Sequence, residues 1–311
     1  MILYISFFYT RSHWEQLAKK LTPALTHLER KKLVKTFNII FGNERGDNIS
    51  LVIYTVGEHE KKETQRYLSA HLGIFLKHYP SPDMPKSNVA ATLFMNFPNN
   101  SIQYNLYKND IIPENKQSDP TVEFFGDLAK LFLTLLSKNI FKQWITEPVI
   151  GLFIMQILLM KTFQFKLEES EKIFKKLYLT VKEELLYYDT LYLDQNKKPA
   201  SISEKEMEYE FRNNEILLFD ILNQLHVTEY KQLVLDDFFY HNYYKFCNIF
   251  YEKHFSTKDT SSKHISVQKK TWVIKTIRSQ IGLLGLPPAN ELLVFYFLKN
   301  SYHQLKLEMQ Y

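Results

Sequence analysis

The stretch Thr36-Phe37-Asn38-Ile39-Ile40-Phe41-Gly42-Asn43-Glu44-Arg45-Gly46-Asp47-Asn48-Ile49-Ser50-Leu51-Val52-Ile53-Tyr54-Thr55 decides the reading of the fold. Phe37, Ile39 and Phe41 alternate with Thr36, Asn38 and Ile40. Beyond a polar loop, Ile49, Leu51, Ile53 and Thr55 alternate with Ser50, Val52 and Tyr54. A period of two sends successive side chains to opposite faces of a sheet. The loop from Gly42 to Asn48 is turn chemistry, because glycine accepts positive φ and Asn and Asp side chains bond their own backbone. The stretch therefore predicts a β-hairpin. Both faces of it carry apolar residues, so each face needs a cover.

Upstream, Ile2 to Tyr9 reads as a first strand, and Thr10 to Ser12 offer caps for a helix over His13 to Lys31. Trp14, Leu17, Leu21, Ala24, Leu25 and Leu28 fall at three- and four-residue spacing there, which makes one buried stripe. Downstream, Val56-Gly57-Glu58 opens a helix to about His78, which Pro80, Pro82 and Pro85 end. Ala90 to Asn96 and Ser101 to Tyr107 read as two further strands. From Asp119-Pro120 the pattern is helical: Val122 to Lys142, Glu147 to Phe165, Glu168 to Asp189, Ser203 to Leu225, Lys231 to Phe255, Ser266 to Ile281 and Asn290 to Tyr302. The expectation is an α+β fold, with a mostly antiparallel sheet from the N-terminal third packed against a large helical C-terminal part. Residues 1–115 form the sheet layer and 116–311 the helical layer of one composite domain.

Composition narrows the class. The chain has 311 residues, is 45% hydrophobic and 15% aromatic, and carries a net charge of +5. The excess is lysine interleaved with glutamate along the helices, which reads as solvated surface rather than a phosphate footprint, so nucleic acid is disfavoured as a partner. Cys247 is the single cysteine, which excludes an internal disulfide and a Cys-based zinc cluster and suits a reducing, cytoplasmic setting. The apolar run Val149 to Met160 contains Gln156 and stops at Lys161. It falls short of the ~20 residues of a membrane span, so a buried helix is expected and no membrane.

No Gly-rich phosphate loop and no HExxH occurs, and the ten histidines are scattered. His71 and His78 lie on one predicted helix without a carboxylate or cysteine at ligand spacing, so no metal and no cofactor is expected. The aromatic run from Phe238 to Phe246 reads as a helix buried on most sides. Lys172, Lys175 and Lys176 lie beside Glu168, Glu169 and Glu171, the pattern of paired charges on a solvated helix. Asp236-Asp237 reads as a helix start or exposed turn. No residue is assigned as catalytic.

Three phrases carry a resemblance. A first strand ILYISFFYT, a helix WEQLAKKLTPALTHLERKKLV with a proline near its middle, and the hairpin TFNIIFGNERGDNISLVIYT together resemble the start of the lantibiotic-dehydratase C-terminal domain. This family is also called the thiopeptide-type bacteriocin biosynthesis domain. EFFGDLAKLFLTLLSKN is similar to its YGG-containing helix, and an all-helical remainder also fits. The resemblance implies biosynthesis of a ribosomally made, post-translationally modified peptide. The family's elimination enzymes remove glutamate from a glutamylated Ser or Thr and leave a dehydroamino acid. They use a His and two Arg on the second hairpin strand, as HxRxR, and an Arg before the loop. In this sequence those places fall on Asn48, Ser50 and Val52, and on Ile40 or Phe41. The late helix phrase HmHxNR corresponds to Leu293 through Asn300, without a His. Replacing Arg by Val removes both the charge and the fork that binds a carboxylate.

The reading that follows is a peptide- or enzyme-binding partner with a degenerate active site. Its partner is the precursor peptide or a modifying enzyme of the same pathway, and a homodimer is also admitted. The alternative is an enzyme of lyase or cycloaddition type that works on a modified precursor with different residues. Arg45, Asn48, Ser50, Tyr54 and Tyr104 are the expected peptide-binding residues. An extended peptide adds to an exposed sheet edge, with the Asn43 to Asn48 loop and the Asn96 to Asn100 turn at the rim.

Overall fold

The computed structural model describes residues 1–43, 45–82, 97–106, 120–138, 148–192, 202–227, 238–256 and 263–309. The chain falls into two compact units, Met1–Lys142 with Gly282–Gly285, and Gln143–Ile281 with Leu286–Tyr311.

In the first unit, strands β1 (Ile2–Phe8), β2 (Val34–Gly42), β3 (Asn48–Thr55) and β4 (Ser101–Tyr104) form one antiparallel sheet in the order β2-β3-β1-β4. The expected hairpin is β2 and β3, in register Phe37↔Ile53, Ile39↔Leu51 and Phe41↔Ile49. The fourth strand pairs with β1, and Ala90 to Asn96 lies outside the described residues. Leu3, Ile5, Phe7, Phe37, Ile39, Phe41, Ile49, Leu51 and Ile53 make up one face, and none is more than 2% exposed. Each such side chain contributes roughly 1.5–3 kcal/mol by leaving water.

Helices α1 (Trp14–Arg30) and α2 (Glu58–His78) lie on this apolar face. A short 3-10 turn at Arg11–His13 precedes α1. Trp14, Leu17, Leu21, Ala24, Leu25 and Leu28 are buried as their spacing predicts, and Trp14 meets Phe41 with ring centroids 5.4 Å apart. Pro23 sits inside α1 without breaking it. It is exposed, and it removes the N–H that the Lys19 carbonyl would otherwise accept from. Helix α3 (Pro120–Ser137) packs on α1 and β2, with Phe132 beside Phe41 at 6.1 Å. The Gly282–Gly285 turn belongs to this unit as well. Gly285 has φ +60, and a Cβ on it would stand 1.5 Å from the Phe41 carbonyl oxygen. Only glycine fits that approach.

In the second unit the described helices are α4 (Pro148–Thr162), α5 (Leu167–Tyr192), α6 (Glu204–Val227), α7 (Phe238–Phe255), α8 (Lys263–Leu283) and α9 (Pro288–Glu308). The apolar run read as a buried helix is α4, most of whose residues are buried. No helix among the described residues is long and apolar enough to cross a membrane. Gln156 in α4 is half satisfied: its amide nitrogen donates to Gln280 at 3.2 Å, and Gln280 donates to the Tyr243 hydroxyl at 2.8 Å, while Gln156 Oε1 is buried without a hydrogen bond. Helix α6 starts with a reciprocal cap, in which the Ser203 N–H donates to the Glu206 carboxylate and the Glu206 N–H donates to the Ser203 hydroxyl. Pro287 and Pro288 open α9, where a missing N–H costs nothing. Arg278 of α8 ties three helices, bidentate to Glu184 of α5 at 2.9 and 2.7 Å and reaching Glu291 of α9 at 3.3 Å. Asp236 and Asp237 lie outside the described residues.

Candidate functional site

The second face of the sheet is unlike the first. The register places Asn48, Ser50, Val52 and Tyr54 of β3 beside Phe8, Ser6, Tyr4 and Ile2 of β1. On the other side they meet Gly42, Ile40, Asn38 and Thr36 of β2. At the centre of this face runs a polar row. The Ser6 and Ser50 hydroxyl oxygens are 2.7 Å apart, the Ser50 hydroxyl donates to Asn48 Oδ1 at 2.8 Å, and Asn48 Nδ2 donates to the Gly46 carbonyl at 2.9 Å. Because the Ser50 proton goes to Asn48, Ser6 donates to Ser50. Gly42 makes room for this arrangement, since a Cβ there would lie 2.7 Å from both Asn48 amide atoms.

Asn38 is 0% exposed, yet neither amide atom completes a hydrogen bond of ordinary geometry. Burial, with Tyr4 adding, pushes the Tyr54 hydroxyl up to about 12, and the nearby Asn38 amide opposes that rise. The face from Thr36 to Gly42 and from Asn48 to Tyr54 carries no ionisable group other than this tyrosine. Ser6, Asn38, Asn48 and Ser50 are 0–2% exposed, and the Ser6, Ser50 and Asn48 donors are spent on one another and on the Gly46 carbonyl. The face offers no cation for a leaving carboxylate and no group poised to take a proton near neutral pH.

Three of the five expected residues, Asn48, Ser50 and Tyr54, thus share one face of one strand. Arg45 does not join them. It lies exposed in the hairpin loop at φ 60, its guanidinium 4.0 Å over the Phe97 ring. Phe97 in turn packs tilted against Phe8, ring centroids 5.0 Å apart, and its N–H donates to the Arg45 carbonyl at 2.9 Å. The loop and the segment before β4 are therefore tied together at the rim. Tyr104 is on the opposite face: it pairs with Ile5, and its hydroxyl is hydrogen-bonded to Ser69 of α2. Val52 and Ile40, at two of the places where the resemblance implies Arg, are 4% and 5% exposed on the polar-row face. His71 and His78 are both exposed. His71 stacks on Tyr67, and His78 bonds the Ile74 carbonyl of its own helix.

A second feature belongs to the helical unit. Tyr178 of α5, Glu204, Lys205 and Glu208 of α6, and Tyr296 and Lys299 of α9 line an open cleft of about 510 Å³. The Lys299 ammonium lies 4.3 Å from the Tyr178 ring centroid and 4.4 Å from that of Tyr296. Tyr296 donates to Glu208, and Tyr178 donates to Glu204 at 3.4 Å. Burial pushes the Tyr296 hydroxyl up to about 12, with the Glu208 carboxylate adding. The residues come from three helices spread over more than a hundred positions, which no local spacing reveals.

No protein-family model matches the chain, and no curated protein matches it. Solved structures do. The fold is shared with the pyridine synthase TbtD from thiomuracin biosynthesis. That structure superposes with a TM-score of 0.64 at 12% identity, over 98% of each chain. TsrL matches with a TM-score of 0.54 at 11% identity, over 98% of this chain and 95% of that one. The tRNA-dependent lantibiotic dehydratase MibB from Microbispora sp. 107891 matches with a TM-score of 0.53 at 12% identity, covering 100% of this chain but 28% of its own. At these identities the likeness is one of fold. The lantibiotic-dehydratase resemblance read from the strand–helix–hairpin order has the same architecture behind it.

The residues that the resemblance did not reach are Ser6 and Asn38. Their signal was present in the sequence: each is a small polar residue in the middle of an otherwise apolar strand, at the alternation phase of Ser50.

Proposed function

We propose that this protein handles the precursor peptide in the biosynthesis of a ribosomally made, post-translationally modified peptide. It acts as a peptide- or enzyme-binding partner rather than as a glutamate-eliminating enzyme. The observation that carries the reading is the neutral row of Ser6, Asn38, Asn48 and Ser50. Two of its members, Asn48 and Ser50, stand with Val52 on the strand positions where the resemblance implies a His and two Arg. Elimination of glutamate needs a base for the α-proton and cations for the departing carboxylate. A row of hydroxyls and amides supplies neither.

The test uses any short precursor peptide encoded beside this protein's gene. Purified protein is incubated with the glutamylated precursor and followed by mass spectrometry, and binding is titrated calorimetrically. Binding at tens of micromolar or tighter without loss of glutamate is the expected result. Rapid formation of dehydroalanine or dehydrobutyrine would overturn it and place the missing cations elsewhere. Failure to bind both the precursor and the neighbouring enzymes would end the reading.

A second reading is favoured by one observation. The match to a pyridine synthase runs from end to end of both chains, whereas the match to the dehydratase covers 28% of that protein. Under this reading the chain is an enzyme on an already dehydrated precursor, of a cycloaddition type in which orientation does most of the work. A new product mass from the dehydrated precursor, absent with boiled protein, would establish it over the partner role.

A further inference from the structure

Three cations around the α5–α6–α9 cleft have clear partners, and two lysines of its lining do not. Lys182 meets Glu204 at 2.6 Å, Arg212 meets Glu208 and Glu215 at 2.8 and 2.9 Å, and Lys306 meets Glu171 at 3.0 Å. Lys299 makes no ion pair and no hydrogen bond among the described residues. Its ammonium is held by the faces of Tyr178 and Tyr296 instead, an arrangement that attracts a cation without neutralising it. The carboxylates of the cleft are already engaged: Glu204 by Lys182 and the Tyr178 hydroxyl, Glu208 by Arg212 and the Tyr296 hydroxyl. Lys205, at the same cleft, is exposed and likewise unpaired among the described residues. The open volume is therefore bordered by two ammonium groups that no carboxylate pairs among the described residues, although Glu204 and Glu208 attract Lys299 from beyond ion-pair distance. Lys299 is also half-buried, and desolvation lowers its pKa. An arriving anion would offset that cost.

We propose that this cleft binds a carboxylate carried by a peptide, with Lys299 as its ionic partner between the two tyrosine rings. A single ammonium with three donors suits a monoanion as a point charge. Glu204 and Glu208 in the walls would repel a dianionic phosphate more strongly than a carboxylate. The proposal deepens the peptide-handling reading, and it rests on that reading for the identity of the carrier. The carboxylate comes either from an acidic side chain or from a free C-terminus.

The probes are acetyl-Ala-Tyr-Glu-Ala-amide, its Gln counterpart, and the Gln peptide with a free C-terminal acid. They are titrated by NMR or calorimetry into the full chain. At least one acid is expected to bind tenfold or more tighter than the neutral amide, and which one does identifies the source. Lys299→Met is expected to abolish the preference and Lys299→Arg to keep part of it. Equal binding of all three peptides, or a preference that survives in Lys299→Met, overturns the proposal. So does displacement of the bound acid by an equal concentration of inorganic phosphate, or no binding of either acid. The comparison on the unaltered protein needs no variant, so a misfolded Lys299→Met leaves the test intact. Titration of the precursor separates the two levels. If it binds the wild type and Lys299→Met equally, the cleft assignment fails and the peptide reading stands. If it binds neither while the acidic probe binds, the peptide reading fails and the cleft stands.

Discussion

Asn38 carries a cost that the sheet offsets only in part, through the Tyr54 hydroxyl. A buried amide left unbonded is destabilising by about 1–3 kcal/mol, and neither amide atom here completes a hydrogen bond of ordinary geometry. Asn38→Leu, which removes the polar atoms at similar volume, is expected to raise the midpoint of thermal unfolding by a few degrees. If the polar row receives peptide amides, the same variant should bind the precursor more weakly. A gain in stability with unchanged binding would remove Asn38 from the site. Ser50 is the opposite case. Its hydroxyl donates to Asn48 and accepts from Ser6, so Ser50→Ala strands two buried partners. A loss of about 1–3 kcal/mol in chemical denaturation is expected. Adding Ser6→Ala to Ser50→Ala should cost less than the two single losses together, because the two hydroxyls share one bond.

Helix by helix and strand by strand, the sequence was legible wherever one apolar period ran undisturbed. Phe37 to Phe41 and Ile49 to Ile53 declared the hairpin, and Trp14 to Leu28 declared α1 despite Pro23. What periodicity could not convey is where elements meet at long range. That β4 pairs with β1, that Tyr104 lies under α2, and that Tyr178 and Lys299 share a cleft all depend on packing between distant segments. The Gly282–Gly285 turn is another such meeting. At Gly285, φ +60 and a Cβ 1.5 Å from the Phe41 carbonyl oxygen leave no room for a side chain. Gly285→Ala should destabilise the protein by about 2 kcal/mol or more, from left-handed strain plus the clash. Between α5 and α9, Glu171 accepts from His303 at 2.9 Å and Lys306 at 3.0 Å. Burial raises its pKa, but those two hydrogen bonds outweigh it, so the carboxyl titrates below its usual 4.5. A depressed carboxylate stabilises the fold above the unfolded value, and that contribution fades as pH falls through the folded one. Glu171→Gln should therefore cost up to about 1 kcal/mol at pH 7, and the gap to wild type should close as the pH is taken below 4.5.

For the whole molecule, 12% identity with TbtD at a TM-score of 0.64 is a likeness of fold with little sequence held in common. A fold can persist on apolar periodicity while the chemistry of its sites is exchanged. We propose that Asn48, Ser50 and Val52, where the resemblance implies His and Arg, mark one such exchange. The layers at 1–115 and 116–311 we propose to be one composite domain. The first compact unit takes in Pro120–Ser137 and Gly282–Gly285 from the far side of that boundary, so cutting there divides a core. Calorimetry should show one transition, with calorimetric and van't Hoff enthalpies equal, and two resolved transitions would overturn the proposal.

Cys247, the single cysteine of the chain, is fully buried in α7, and desolvation pushes its thiol well up. A thiol in that state is nearly unreactive until the helices around it part. Labelling with a thiol reagent under native conditions therefore reports how often the helical unit opens. Because no other sulfhydryl competes, the labelling rate is a gauge of local unfolding already built into the wild-type protein. Precursor or acidic peptide that binds this unit should slow the reaction in proportion to its occupancy.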